Sequence, residues 1–131
     1  MSSDTPAPLG RHEGSIDLTA LLEQFGSREI LDQVIDEYLQ EYPGMLEDVG
    51  RAVNRRDAAS LASSAHKFKG AVALFGDERA VFPVASLEQA GRTNNLGHVD
   101  ALYARLTVEV ERLSSELREL VRAGNGVRPC S

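Results

Sequence analysis

The last third of the chain carries an apolar residue at every third or fourth position, and this repeat constrains the fold more than any other feature. It continues without interruption from Val99 to Leu120. Because an α-helix turns about 100° per residue, such spacing places all of these side chains on one face. The set comprises Val99, Leu102, Leu106, Val110, Leu113, Leu117 and Leu120. A long helix with a sustained apolar face of this kind is typical of a helical bundle.

Four earlier segments show the same helical periodicity, and no segment shows the alternation of apolar and polar residues that predicts a β-strand. The predicted helices run from about Ile16 to Gln24, from the Ser27 cap to the turn at Asn54, from about Ala58 to Phe75, from near Asp77 to the break at Asn94, and from about Leu96 to Arg122. The expected fold class is therefore all-α, an up-and-down four-helix bundle with a short extra helix at the N-terminus.

Capping residues and prolines refine these boundaries. Asp17 or Ser15, Ser27 and Asp57 are the predicted N-caps, because short polar side chains accept hydrogen bonds from the first free backbone N–H groups. Gly26 and Gly76 are predicted to end the first and third helices. We expect Pro43 to kink the second helix, and Pro83 either to kink the fourth helix or to delay its start to near Phe82.

Length and charge limit the class of protein. A chain of 131 residues corresponds to one domain, which we assign to residues 15–122, with a disordered segment at 1–14 and a flexible tail at 123–131. The net charge of −6 argues against a general nucleic-acid binder. No apolar run reaches the length of about 18 residues that a membrane span needs, and no signal peptide is evident. The expected protein is cytoplasmic.

One histidine stands apart on the predicted third helix. On a helical wheel, His66 lies about 130° from the centre of the apolar stripe of that helix. Its side of the helix carries Lys69 and otherwise only small residues, namely Ala59, Ala62, Ser63, Gly70 and Ala73. Glycine inside a helix costs about 1 kcal/mol relative to alanine, so we interpret Gly70 as making room for a partner to approach the imidazole. The alternative is a solvated surface histidine beside a tolerated glycine.

Two sequence blocks connect this histidine with a known family. The first is His66-Lys67-Phe68-Lys69-Gly70 followed by Gly76, and the second is Leu87-Glu88-Gln89-Ala90-Gly91-Arg92. They resemble the two blocks of histidine-containing phosphotransfer (HPt) domains, roughly Ala-His-x-Leu-Lys-Gly-Ser-(x)4-Gly and Leu-Glu-x-x-Gly-Arg. The resemblance extends from about Ile16 to Arg122. Three positions depart from the pattern: Phe68 replaces the usual leucine, Ala71 the usual serine, and Pro83 interrupts the fourth helix.

The resemblance implies a phosphocarrier of a two-component phosphorelay, with His66 as the phosphoryl acceptor. Cations near His66 would stabilise the phosphorylated imidazole, and Lys69, three residues further along the helix, is the best placed on this helix. By resemblance, Arg92 lies beside the histidine and Glu88 faces the same region. The predicted catalytic residues are therefore His66, Lys69 and Arg92, with Lys67, Gly70 and Glu88 in support.

The resemblance implies response-regulator receiver domains and a sensor or hybrid histidine kinase as partners. It also implies a monomer as the default state. The sequence has no phosphate-binding glycine loop, no kinase ATP motif and no aspartate cluster for Mg²⁺, so this chain is not expected to be an enzyme that uses ATP. The resemblance assigns the acceptor aspartate and the Mg²⁺ to the receiver domain, and we expect no cofactor or metal here. Ile30 and Val34 are predicted to contribute to receiver docking.

Two other functions stay open at this point. A helical interaction module of the same fold would dock receiver domains or other partners without carrying phosphate. A purely structural bundle is a more distant possibility. The combination of His66, Lys69 and Gly70 favours the phosphocarrier. The histidines His12, His66 and His98 show no metal-ligand spacing, so a zinc site is not predicted.

Overall fold

The computed structural model describes residues 16–127 of the chain. Five helices occupy this region: α1 at Leu18–Phe25, α2 at Arg28–Arg55, α3 at Ala58–Ala73, α4 at Glu78–Thr93 and α5 at Val99–Val127. No β-strand occurs within the described residues. The all-α prediction is therefore confirmed, whereas the predicted disordered segment at 1–14 lies outside the described residues.

The four long helices form a closed bundle. Each of α2, α3, α4 and α5 packs against two neighbours in the order α2, α3, α4, α5 and back to α2, and α1 packs against α2. Contacts between helix ends show that α2 and α5 are antiparallel. Arg28 at the start of α2 donates to the carbonyl oxygen of Leu120 at 2.7 Å, and Arg56 at the end of α2 pairs with Asp100 at 2.6 Å. The predicted up-and-down bundle with one extra helix is confirmed.

The core fixes the rotation of α3 about its axis. The five residues predicted to form its apolar stripe are all buried: Leu61, Ala65, Phe68, Val72 and Phe75. Phe68 and Phe75 are among the largest fully buried side chains of the bundle. Burying an aromatic side chain of this size contributes about 1.5–3 kcal/mol, so turning α3 to bury its other face would be costly. The opposite side of α3, which carries His66, therefore faces outward.

The predicted caps are present. Side chains of Asp17, Ser27 and Asp57 accept hydrogen bonds from the backbone three residues ahead, at 3.1, 3.2 and 3.1 Å. Ser15, the alternative first cap, lies outside the described residues. Gly26 and Gly76 adopt φ values of 91° and 67°, a region that glycine occupies without steric cost. The third helix ends at Ala73, two residues earlier than predicted, and Gly76 lies in the turn that follows.

Three boundaries differ from the sequence analysis or settle an alternative. Pro83 does not delay α4, which begins at Glu78 behind the Asp77 cap and continues past the proline. The last helix begins at Val99, later than the predicted Leu96. It also runs to Val127 rather than ending near Arg122, so the first five residues of the predicted tail are helical. Glycine lowers helix propensity without forbidding a helix, so α5 continues through Gly124 and Gly126.

Candidate functional site

His66 lies near the middle of α3 on the side away from the core. Its side chain is 65% exposed, which confirms the prediction of an outward-facing imidazole. One turn further along the helix, Gly70 is exposed, and a methyl group added to it would meet no atom within 4 Å. Within the described residues, the surface of α3 beside the imidazole is therefore open, as expected for a group that another molecule must reach.

Helix α4 approaches α3 closely next to this histidine. A Cβ atom on Gly91 would lie 2.6 Å from the backbone nitrogen of Ala62 and 2.7 Å from the carbonyl oxygen of Ala58. No real side chain tolerates such distances to backbone atoms, so the spacing of the two helices depends on this glycine. Glu88 lies three residues before Gly91, one turn away on a neighbouring part of the helix surface. The close approach brings the Glu88 carboxylate within reach of α3.

The Glu88 carboxylate is the centre of the site. Its side chain is only 5% exposed, and its Oε2 lies 2.9 Å from Nδ1 of His66. The same oxygen accepts from Nε of Arg92 at 3.0 Å and from Nη2 of Arg92 at 2.5 Å. The ammonium of Lys69 lies 2.7 Å from Oε1. Within residues 16–127, Oε1 is buried without a further hydrogen-bond partner, so this ion pair is the contact that stabilises it. One buried carboxylate thus holds the imidazole and both cations.

The three partners determine the charge of Glu88. The Lys69 ammonium, and then the Arg92 guanidinium and the His66 ring, lower the pKa of Glu88 from 4.5 to about 2, although burial acts in the opposite direction. Glu88 is therefore ionised at neutral pH and can only accept hydrogen bonds.

This charge determines the tautomer of the imidazole. Because the carboxylate has no proton to give, Nδ1 of His66 must be the donor in the 2.9 Å contact. In a neutral imidazole with hydrogen on Nδ1, the lone pair is on the other nitrogen, Nε2. Among the described residues Nε2 has no hydrogen-bond partner. The arrangement leaves Nε2 as the nucleophilic nitrogen of a side chain that is 65% exposed.

Two cations contact the same Glu88 carboxylate that holds the imidazole. Lys69 and Arg92 are both partly exposed, and each has more N–H donors than its contact with Glu88 uses. A phosphoryl group on Nε2 would offer three acceptor oxygens, to which ammonium and guanidinium groups donate strong charge-assisted hydrogen bonds. The site therefore offers the nucleophile and the hydrogen-bond donors that acceptance of a phosphoryl group requires. Among residues 16–127, no group of three metal-binding side chains gathers here or elsewhere.

The structure brings together most of the predicted site residues. His66, Lys69 and Arg92 all contact the carboxylate of Glu88, and Glu88 and Arg92 pair across one helical turn. Lys67 is exposed and makes no ion pair with another described residue, so it does not join this cluster.

Sequence reasoning missed two features of the site. It gave Glu88 a supporting role and did not foresee its bonds to His66 and Lys69. It also named Gly91 as part of the second sequence block, without seeing that the glycine sets the spacing of α3 and α4. The available signal was a residue of low helix propensity inside a predicted helix, next to a charged motif.

Two further observations concern the rest of the chain. His98 is exposed and lies just before α5, away from the other site residues in the sequence, while His12 lies outside the described residues. Within residues 16–127, every helix is too short or too polar to cross a membrane.

Comparison with known proteins places the chain in a family. A family model described as "Hpt domain" matches residues 33–121, which is more than half of the chain. No curated protein and no solved structure gives a significant match. The matched segment contains the whole His66 cluster, and members of this family are phosphocarrier modules of phosphorelays that interact with receiver domains and histidine kinases. On the strength of this match and of the site that it covers, the chain belongs to the Hpt domain family.

Proposed function

We propose that this protein carries a phosphoryl group on Nε2 of His66 in a two-component phosphorelay. The observation that supports the proposal most strongly is the 2.9 Å contact between Nδ1 of His66 and the ionised Glu88 carboxylate. An isolated surface imidazole exchanges between two tautomers, whereas this contact favours the one with its lone pair on the exposed nitrogen. The buried carboxylate therefore prepares the nucleophile before any partner arrives.

In the proposed reaction the donor is the aspartyl phosphate of a receiver domain. The Nε2 lone pair attacks phosphorus, the bond between phosphorus and the aspartate oxygen breaks, and its electron pair stays on the receiver carboxylate. Lys69 and Arg92 turn toward the phosphoryl oxygens and stabilise the charge on them. Mg²⁺ in this scheme belongs to the receiver, and the chain needs no cofactor of its own. The protein is thus a carrier between partners rather than an enzyme that uses ATP.

Docking of the receiver is proposed to cover the open surface around His66 and the first turns of α2. Ile30 is 48% exposed there, and Val34, one turn along, is half-buried. A sensor or hybrid histidine kinase would supply the phosphoryl group to the relay. We place this exchange in the cytoplasm and assign the protein a monomeric state, in line with the sequence analysis.

The alternative function is a receiver-docking module that carries no phosphate. Such a module would need an accessible surface, but it would not need a buried carboxylate bonded to the imidazole. Burying an ionised carboxylate is costly unless its partners repay the lost hydration. A phosphocarrier function therefore accounts for the contacts of the buried Glu88 carboxylate, whereas a docking module gives no reason for them.

A phosphotransfer experiment distinguishes the two functions. A receiver domain labelled with radioactive phosphate is mixed with the native protein, with His66→Gln and with His98→Gln, which removes another exposed histidine. We expect label on the native protein and on His98→Gln but not on His66→Gln, and the label should be labile in acid and stable in base. Binding of the receiver to the native protein without transfer would support the docking module. Label on His66→Gln would contradict the proposed acceptor.

A further inference from the structure

We propose that Glu88 keeps the proton on Nδ1 of His66 after phosphorylation, so that the bound phosphoryl group stays ready for onward transfer. This inference rests on the proposed function and concerns the second half of the same relay step. It assigns Glu88 a role beyond orienting the free imidazole, namely control of how readily the phosphorylated ring releases its group.

The geometry allows phosphorylation without any movement of a proton. Before transfer, Nδ1–H donates to Oε2 of Glu88 at 2.9 Å, and the lone pair on Nε2 is free. When Nε2 bonds to phosphorus, Nδ1 still carries its hydrogen, and the ring becomes a cation. The hydrogen bond then joins the cationic ring to the carboxylate of Glu88, whose side chain is only 5% exposed. Such charge-assisted hydrogen bonds are stronger than neutral ones.

The retained proton determines what leaves in the next step. On onward transfer the bond between Nε2 and phosphorus breaks, its electron pair returns to Nε2, and a new bond forms between phosphorus and the carboxylate oxygen of a receiver aspartate. If Nδ1 has kept its proton, the departing group is a neutral imidazole. If water has taken that proton, the departing group is an imidazolate anion, which is a much poorer leaving group. Glu88 therefore favours the transferable form.

The neighbouring charges act in both directions. On α3, Lys67 and Lys69 disfavour a cationic ring, and so does Arg92 on α4, whereas Glu88 favours it through direct contact. The other helix that packs on α3 is α2. A surface pocket between the two helices is lined by charged and polar residues, namely Asp48, Arg51 and Arg55 of α2 with Asp57, Ser60 and Ser64 at the cap and first half of α3. None of these makes a described contact with His66.

Phosphorylation shifts this balance further toward retention of the proton. Lys69 and Arg92 both bind Glu88 in the free protein, and both are exposed enough to turn. Once a phosphoryl dianion is present on Nε2, its oxygens compete with Glu88 for the two cations. A carboxylate that loses part of its cation contacts interacts more strongly with the remaining donor, which is Nδ1–H.

The test compares the phosphorylated native protein with Glu88→Gln, which keeps the size of the side chain and removes its charge. Each protein is phosphorylated by a receiver domain and separated from it. The protonation of Nδ1 is then followed against pH by ¹⁵N NMR, and onward transfer to fresh receiver is timed over the same range. An opposite charge in contact shifts a titration by about one unit or more, so the variant should lose the Nδ1 proton at least about one pH unit lower. Above the midpoint of the native protein, onward transfer of the variant should be about tenfold slower.

Two controls keep the outcome decisive. Glu88→Asp retains the charge but moves it away from the ring, so its titration midpoint should lie between those of the native protein and Glu88→Gln. It takes the place of Glu88→Gln if that variant does not fold. Lys67→Gln removes a nearby cation that does not touch Glu88, and its midpoint should not move down. Equal midpoints and equal rates in native protein and both Glu88 variants would overturn the inference while leaving His66 as the acceptor. Absence of label from His66 in the native protein would instead overturn the proposed function.

Discussion

At the scale of single residues, Glu88 contributes both to the stability of the fold and to the choice of tautomer at His66. Its carboxylate is buried between α3 and α4 and contacts three side chains, two from α3 and one from its own helix. Removing the carboxylate would leave Lys69 and Arg92 next to each other and to the imidazole without a counter-charge. A change at this residue should therefore be visible in stability as well as in transfer.

The stability contribution of Glu88 should depend on pH in a defined direction. Contact with Lys69, and then with Arg92 and His66, lowers its pKa from 4.5 to about 2 on folding. Between these values the unfolded chain binds more protons than the folded one, so the contribution is complete above about pH 4.5 and is lost as the pH falls to about 2. Glu88→Gln should reduce the free energy of unfolding by about 1–3 kcal/mol at neutral pH.

Urea denaturation at a series of pH values tests this expectation. The difference in unfolding free energy between native protein and Glu88→Gln should shrink as the pH falls from about 4.5 to about 2. Other carboxylates titrate in both proteins, so they cancel in the difference. A difference that stays constant across this range would show that the Glu88 charge does not stabilise the fold.

At the scale of helices, the site depends on how closely α3 and α4 approach. The approach is set where Gly91 lies against the backbone of Ala58 and Ala62. Gly70, in contrast, lies on the open surface of α3 and makes no close contact. The two glycines occupy similar helical backbones but different surroundings, which makes them a matched pair for substitution by alanine.

The two alanine variants should change stability in opposite directions. Gly91→Ala should destabilise the protein by about 1–3 kcal/mol, because the added methyl group forces the helices apart. Gly70→Ala should stabilise it by up to about 1 kcal/mol, since alanine has the higher helix propensity and open space is available. Gly70→Ala should also slow transfer from a receiver if the open surface is needed for approach. Thermal unfolding and transfer assays on both variants check these expectations, and a stabilised Gly91→Ala protein would argue against close packing at this point.

At the scale of the whole molecule, the bundle leaves apolar side chains exposed on different sides. Ile30 is 48% exposed at the start of α2, a helix that packs against α3, and Val108 is 64% exposed on α5. Because α3 packs against α2 and α4 but not against α5, Val108 lies on the helix diagonal to His66. The two residues are comparable in exposure and chemistry, and only Ile30 is on the side proposed for docking.

Substitution of these two residues tests the docking surface. Ile30→Ala should weaken receiver binding by about 1 kcal/mol, or roughly fivefold, because an apolar contact is lost at the interface. Val108→Ala should leave binding unchanged. Titration calorimetry with a receiver domain measures both. Equal affinity of native protein and Ile30→Ala would remove Ile30 from the interface.

Much of this molecule could be predicted from local patterns. The apolar stripe of α3 and the caps at Asp17, Ser27 and Asp57 depend on residues a few positions apart, so the sequence reveals them directly. The contacts of Glu88 with His66 and Lys69 depend on how two helices pack, which no single helical wheel contains. The end of α5 was missed because glycine makes a helix less favourable without stopping it.

The central claim, that Nε2 of His66 accepts the phosphoryl group, is tested most directly by NMR on ¹⁵N-labelled protein phosphorylated by a receiver domain. The account predicts ¹⁵N–³¹P coupling at Nε2 of His66 and a proton on Nδ1 facing Glu88. Coupling at Nδ1, or phosphate found on another histidine, would contradict it.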